Sequence, residues 1–421
     1  MRKRNVHTAS AEECRSGSRR VAITGLGAIS PIGVGIPEFM AGLRAGRNGA
    51  KKVSAFGTDG YKHSVACEVV DFDPAQWLVN LDPADLGRVS QFSAAAARMA
   101  FDDAGLTAAG VRGRHGLIAI GTTYGESRDF DHLVEQEVTQ GQERMDPAIA
   151  RRVNASRLSV TVAHELELTD VEVLTIPTAC AAGNYAIGYG FDAIRSGEAD
   201  FALSGGADAL CRMSFAAFYR LGVMAPERCQ PFDKDRRGIL TGEGAGVLVL
   251  EDFASARARG ARVYAEVLGY GLNCDADHPV APNPDSVARC MELALRDAKI
   301  KSAEVDFISA HGTATKANDV AEARAIHQVF GDAPPRTVSM KSMLGHTFGA
   351  AGALGAIGCV LAITGGFIPP TINHVETDPE CDLDCVPNEA IEADVRVVQN
   401  NALAFGGNNA ILILGRSGGR R

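Results

Sequence analysis

Apolar and polar positions along this chain fall into two cycles of the same order. Over residues 86–104, Val89, Phe92, Ala96, Met99 and Ala100 recur at helical spacing on one face, which predicts an amphipathic helix. Apolar runs of strand length follow at 117–120 and 171–176, the second leading into a turn rich in alanine and glycine. A helix over about 181–195 stopped by Gly197, then strands at 201–204 and 246–251, close the first cycle. In the second, Asp306-Phe307-Ile308-Ser309-Ala310-His311-Gly312-Thr313 parallels Gly116-Leu117-Ile118-Ala119-Ile120-Gly121-Thr122-Thr123. Residues 337–340 read as a strand feeding the His346 turn, and a small-residue helix over about 350–363 ends at Gly365 and Gly366. On this reading His346 stands where the first cycle has Cys180. Repetition of the same elements predicts an α/β fold of two duplicated halves, 21–255 and 256–421, with the active site where equivalent turns meet.

The start of the first half, Val21-Ala22-Ile23-Thr24-Gly25-Leu26-Gly27, only loosely follows a dinucleotide-binding loop with Gly25, Gly27 and Gly33. The acidic residue such a loop needs about 20 positions on is missing, so a strand-to-turn glycine cluster explains the run better. Residues 1–20 are polar and basic without an apolar stretch, as in a disordered tail rather than a secretory signal.

Composition narrows the chemistry. The chain is 46% hydrophobic and 22% charged with a net charge of −9, which is ordinary for a globular enzyme and points away from nucleic acid. Ten cysteines are scattered without a CxxC pair, and Cys381 and Cys385 have no second pair at zinc spacing. No metal site is expected, and the pattern suits a reduced, cytoplasmic protein. No run reaches the roughly 18–20 apolar residues of a membrane span.

Three side chains carry the chemistry. Cys180 sits in Pro177-Thr178-Ala179-Cys180-Ala181-Ala182-Gly183, after a strand and before a helix. Unpaired N–H groups and the positive end of the helix dipole there favour a thiolate nucleophile. Most cysteines are buried and inert, and the other nine read that way. His311 ends a strand before Gly312-Thr313-Ala314-Thr315, and His346 lies in Leu344-Gly345-His346-Thr347-Phe348-Gly349. Either histidine alone reads as structural, but two at mirrored strand ends beside a cysteine form a set suited to acyl transfer and carbon–carbon bond formation. Lys341 and Glu322, with Asp319 three residues before the latter, are placed as a lysine–carboxylate pair that orients an imidazole, although a solvated charged face suits Asp319 equally well. Ala404-Phe405-Gly406-Gly407-Asn408-Asn409 is a tight turn whose N–H groups, with that of Cys180, suit an oxyanion hole.

From about residue 21 to 415 the chain resembles the β-ketoacyl-acyl-carrier-protein synthases of the ketosynthase II type, in the thiolase superfamily. The resemblance is carried by Thr178-Ala179-Cys180-Ala181-Ala182-Gly183, Pro231-Phe232-Asp233, Gly242-Glu243-Gly244-Ala245-Gly246, His311-Gly312-Thr313-Ala314-Thr315, Lys341-Ser342 with Gly345-His346, and Phe405-Gly406-Gly407. It implies a thiolase-like five-layer αβαβα fold, a dimer, and a decarboxylative Claisen condensation. Cys180 would take an acyl chain from an acyl carrier protein, and His311 and His346 would assist decarboxylation of malonyl-carrier protein. Lys341 and Glu322 would support the histidines, and Phe405 would serve as gate and, with Cys180, as oxyanion hole. Thr313, Thr315, Phe405, Gly406, Asn408 and Tyr124 would contact substrate. No resident cofactor is implied, because the phosphopantetheine arm arrives on the carrier protein.

Two positions depart from the family's Gly-Phe-Gly-Gly-Thr-Asn: Ala404 replaces its first glycine and Asn408 its threonine. Ala tolerates fewer backbone angles than Gly, so Ala404 is expected to stiffen the Phe405 gate. Both changes favour a type II polyketide or specialised fatty-acyl pathway over housekeeping fatty-acid synthesis, with either a homodimer or a heterodimer with a chain-length-factor-like subunit. A non-catalytic carrier-binding subunit would lack the cysteine that this chain keeps. Arg128, Arg151, Arg152 and Arg212 could face an acidic carrier, with solvated surface charge as the default for each.

Overall fold

The apolar runs of the two cycles become neighbouring strands of one sheet. The computed structural model describes residues 19–418, so the expected tail lies outside the described residues except for Arg19 and Arg20. Arg20 is tied to Glu266 at 2.6 Å. The first half supplies β1 (Val21–Ser30), β2 (Gly116–Gly121), β3 (Val171–Ile176), β4 (Phe201–Asp208) and β5 (Gly244–Asp252). The second supplies β6 (Ala265–Cys274), β7 (Phe307–Ser309), β8 (Arg336–Val338), β9 (Val397–Leu403) and β10 (Asn408–Gly415). They run β8-β7-β9-β10-β6-β1-β5-β4-β2-β3, a palindrome about the centre in which each strand of one half has its counterpart in the other. Parallel pairs join β2 to β3 and β4, and β7 to β8 and β9. The halves meet through three residue pairs of β1 and β6, Val21 with Val267, Ala22 with Glu266 and Ile23 with Ala265.

Helices fill the layers around this sheet. The periodic segment forms α1 (Arg88–Asp103), which packs with α2 (Arg157–Glu165) on the outside of the first half. The helix after the cysteine is α3 (Ala182–Ser196), closed by Gly197 in the left-handed conformation at φ 82°. On the outside of the second half lie α4 (Pro284–Ala298) and α5 (Lys316–Phe330). Helix α6 (Ala351–Gly365) packs on α3 and on strands of both halves, so α3 and α6 form the middle layer of αβαβα. The stretch Phe348–Gly365, 18 residues long, is apolar enough to cross a membrane, which goes beyond the sequence expectation of no such run. It is 83% buried, and a helix enclosed on all sides needs no polar face.

Two sequence expectations change here. Gly25 and Gly27 do not form a turn; they lie inside β1. A Cβ at Gly27 would stand 1.9 Å from the Ala96 carbonyl oxygen, so these glycines let α1 lie directly on the strand. Also, His346 is not the counterpart of Cys180. The short turns Ala179–Ala181 and Phe348–Ala350 precede helices that start at Ala182 and Ala351 and stop at Gly197 and Gly366. In that register Gly349 corresponds to Cys180, and His346 lies three residues earlier, at the place of Pro177.

Candidate active site

Cys180, His311 and His346 come from three separate strand ends and line one cavity of about 450 Å³. Each is nearly closed off from water, at 5%, 4% and 3% exposure. Their turns hold non-glycine residues in the left-handed region, Ala179 at φ 49°, Ala314 at 63° and Phe348 at 52°. Such angles cost on the order of 1–3 kcal/mol each and persist where surrounding structure enforces them.

Burial controls the charge of all three groups. The Cys180 thiol is pushed up to about 12, chiefly by desolvation and further by the Asp208 carboxylate. Lys341 and the backbone N–H groups of Phe405 and of Cys180 itself act in the opposite sense and do not outweigh burial. This corrects the expectation of a resting thiolate: removal from water costs a sulfur anion more than the helix terminus returns. Both histidines are held well below the ordinary imidazole range, first by desolvation and then by Lys341, with His346 adding to the effect on His311. They are neutral at physiological pH.

The tautomer of His346 follows from its neighbours. The Phe348 N–H donates to His346 Nδ1 at 3.1 Å, which leaves Nε2 to carry the proton. The Phe348 ring lies over the imidazole at a centroid distance of 5.5 Å, and the two imidazoles meet edge to face at 5.5 Å. For His311, Lys341 Nζ donates to the residue's own carbonyl oxygen at 2.6 Å and lies 3.4 Å from Nδ1, which accepts while Lys341 is charged and so leaves Nε2 as the donor.

Lys341 and Glu322 both hold His311, and each acts on the other's charge through space rather than by direct contact. No ion pair joins them among the described residues. Glu322 instead accepts the N–H groups of His311 and Gly312, each at 2.8 Å, and the Asn401 amide at 2.9 Å. Lys341 is also buried, which lowers its pKa against the opposing effect of the Glu322 carboxylate. Asp319 belongs to no solvated face; it is fully buried, accepting from Phe232 N–H at 2.9 Å and lying 3.4 Å from the Arg236 guanidinium.

The remaining expected residues divide. Thr313, Thr315 and Phe405 line the cavity, the two threonine hydroxyls lying 3.0 Å apart. Phe405 stacks on Phe218 at 5.7 Å, closing one side. Gly406 and Asn408 do not line it. The Gly406 N–H donates to the Pro279 carbonyl at 2.8 Å and Asn408 begins β10, because the turn reverses the chain right after Phe405. Gly406 and Gly407 absorb that reversal at φ 81° and 80°. Ala404 is extended at φ −136°, a conformation open to any residue, so its side chain brings no strain. Tyr124 also lies off the cavity, edge-on to Phe348 at 5.4 Å. Sequence reasoning missed the apolar walls Phe218, Val223 and Ile239, and also Asn401 and Asp208. The only signal for Asp208 was a carboxylate at the end of an otherwise apolar strand. Of the four arginines, Arg152 is tied to Asp129 at 3.1 Å, whereas Arg128 and Arg212 line a second, shallow groove beside the exposed Phe130 and Met213.

Two family models match the chain in order. Those for the N-terminal and C-terminal domains of β-ketoacyl synthase match residues 18–256 and 264–375. A 3-oxoacyl-[acyl-carrier-protein] synthase 2 of Synechocystis sp. is 37% identical over 405 residues, covering 94% of this chain and 97% of that protein. Among solved structures, the ishigamide ketosynthase/chain length factor is 61% identical with a TM-score of 0.94, covering 95% of this chain and all of that one. A type II polyketide synthase acyl-carrier protein in complex with its ketosynthase bound to the hexaketide gives 31% identity and a TM-score of 0.87 over 95% of this chain and 100% of that one. With a cysteine and two neutral histidines closed into one cavity and both family models matched in order, this chain belongs to the β-ketoacyl synthases and is a condensing enzyme of the acyltransferase class.

Proposed function

We propose that the chain elongates carrier-bound acyl thioesters in a type II polyketide or related specialised pathway, with an acyl carrier protein as partner and a second ketosynthase-like chain beside it. The observation that carries this reading is the 61% identity to the ishigamide ketosynthase/chain length factor, against 37% to the Synechocystis 3-oxoacyl synthase 2. The second chain is supported by surface left uncovered in the single subunit. Strand β3 ends the sheet with Val171, Val173, Leu174 and Ile176 only half-buried, and Phe130 and Val138 stand 54% and 79% exposed.

In the first half-reaction the Cys180 sulfur attacks the acyl thioester carbonyl. A new C–S bond forms, the carrier thiol leaves, and the cysteine proton goes with it. In the second, malonyl-carrier protein occupies the cavity, and the Nε2–H groups of His311 and His346 donate to its thioester oxygen. That stabilises the enolate left as carbon dioxide departs. The enolate carbon attacks the Cys180 thioester, the N–H groups of Cys180 and Phe405 hold the oxyanion, and collapse releases the sulfur as a thiolate that takes back one proton from solvent. Two neutral imidazoles suit this role, since each offers a donor without a charge that would hold the departing carboxylate. Lys341 and Glu322 keep His311 in place, and the phosphopantetheine arm belongs to the substrate.

Intact-protein mass spectrometry with acyl- and malonyl-carrier proteins, beside Cys180→Ala, tests the reading. An adduct confined to Cys180 that turns over to a β-ketoacyl carrier protein is expected. Turnover appearing only after a partner subunit is added supports the heterodimer. Full turnover by the chain alone, giving only fatty-acyl products, supports instead a homodimeric fatty-acid synthase, the reading favoured by the named function of the Synechocystis relative.

A further inference from the structure

Asp208 closes β4 with a fully buried carboxylate, and among the described residues no arginine, lysine or histidine lies within ion-pair distance of it. Its charge is met by four donors. Oδ1 accepts from the Thr122 hydroxyl at 2.8 Å and the Tyr124 N–H at 3.1 Å. Oδ2 accepts from the Thr123 N–H and the Gly349 N–H, both at 2.7 Å. Oδ2 therefore bridges two loops distant in sequence, one leaving β2 and the other following His346. Close approach is obligatory there: a Cβ on Gly349 would stand 2.6 Å from Thr122 Cα and 2.7 Å from the Asp208 carboxylate.

What this bridge holds matters for the chemistry. Gly349 follows Phe348, whose backbone is in the left-handed region and whose N–H sets the tautomer of His346. The Phe348 ring lies between the His346 imidazole and the Tyr124 ring, 5.5 Å from one and 5.4 Å from the other. A strained turn of this kind keeps its geometry only while its neighbours enforce it. The duplication sharpens the point, because strand register sets Asp208 where the second half has Ala404, next to Phe405. Gly349, whose N–H Asp208 binds, corresponds to Cys180. One half thus sets a carboxylate, which burial raises to about 6, on the N–H that the other half presents at Cys180.

We infer that Asp208 is a positioning residue for the decarboxylation half-reaction: its carboxylate locks the Phe348–Gly349 turn to the Thr123–Tyr124 loop and so fixes the ring and tautomer of His346. The inference rests on the condensing-enzyme reading of the site. Asp208→Asn keeps one acceptor oxygen and can satisfy at most two of the four donors, whereas Asp208→Ala satisfies none.

The experiment uses the full chain, with a partner subunit if turnover needs one. Melting temperature, acyl transfer to Cys180 and decarboxylation of malonyl-carrier protein are followed on the same preparations, together with ¹⁵N-histidine NMR. Folded Asp208→Asn is expected to lose about tenfold in decarboxylation, the scale on which outer hydrogen-bond partners act, while acyl transfer stays within about threefold. Asp208→Ala should lose more, and His346 should no longer be protonated on Nε2 alone. Equal losses in both half-reactions, or no loss, in a folded Asp208→Asn protein would overturn the inference. If neither variant folds, the wild-type spectrum decides, since a His346 proton on Nδ1 is incompatible with the geometry. That spectrum needs no substrate, so a wild-type chain silent towards every carrier would sink the functional reading and leave Asp208 to be judged separately.

Discussion

The turn at Cys180 and the turn at Gly349 are the same piece of structure used for opposite purposes. Each follows an edge strand of its half through a left-handed residue, Ala179 or Phe348, and opens a helix of the central layer that ends at a left-handed glycine. Each faces a strand end from the other half, Phe405 after β9 for the first and Asp208 at the end of β4 for the second. At Gly349 the turn N–H is consumed by a carboxylate and the turn becomes a rigid support. At Cys180 the corresponding N–H remains beside a cavity and a nucleophile. Duplication supplied two matching frames, which differ in Cys180 against Gly349 on the turn and in Ala404 against Asp208 at the opposing strand end.

The largest break in this comparison is removal of the nucleophile itself. Cys180→Ala should abolish acyl adduct and condensation, detected by mass spectrometry, yet retain decarboxylation because both histidines and the N–H groups persist. Next in size, His346→Ala should slow decarboxylation by about 10²–10⁴-fold, the usual worth of a positioned proton donor, with a much smaller effect on acyl transfer. Loss of both half-reactions together would assign His346 to the frame rather than to the chemistry.

The charge states sharpen the comparison through pH. Because burial holds both imidazoles well below their ordinary range, neither histidine should give decarboxylation an acid limb. A limb near pH 6 that disappears in Asp208→Asn belongs to the Asp208 carboxylate, which burial raises to about 6. Because the same burial raises the Cys180 thiol to about 12, alkylation of the resting enzyme should keep rising about tenfold per pH unit through neutrality. A plateau near neutral pH would mean that the helix terminus prevails over burial after all. The smallest effect is expected at Ala404. Ala404→Gly, at an extended φ of −136°, should leave the structure unchanged and lower stability by about 0.4–1 kcal/mol through the unfolded chain, read as a small fall in melting temperature.

Much of this was legible in the residues. The periodicity of 86–104 and the apolar run at Val171–Ile176 translate directly into α1 and β3, because local apolar patterning dictates which face an element must bury. Cys180, His311 and His346 were also legible, since a cysteine and two histidines in turns of small residues at strand ends form a set that none of them makes alone. Tyr124 could not be placed the same way: a ring beside a glycine-rich loop can point into a cavity or behind it, and contact with Phe348 over a long sequence separation decides. Nor could Asp208, whose four donors come from two loops that meet only when the halves fold together.

The sequence by itself determined the two cycles, the order of their elements and the identity of the reacting groups, all of which depend on neighbours within a few residues. The tertiary structure alone decided that Gly349 and not His346 matches Cys180, that Lys341 binds the His311 carbonyl while Glu322 binds its N–H, and that the thiol rests protonated. These depend on strand register and on exclusion of water, both of which come from distant segments packing against one another.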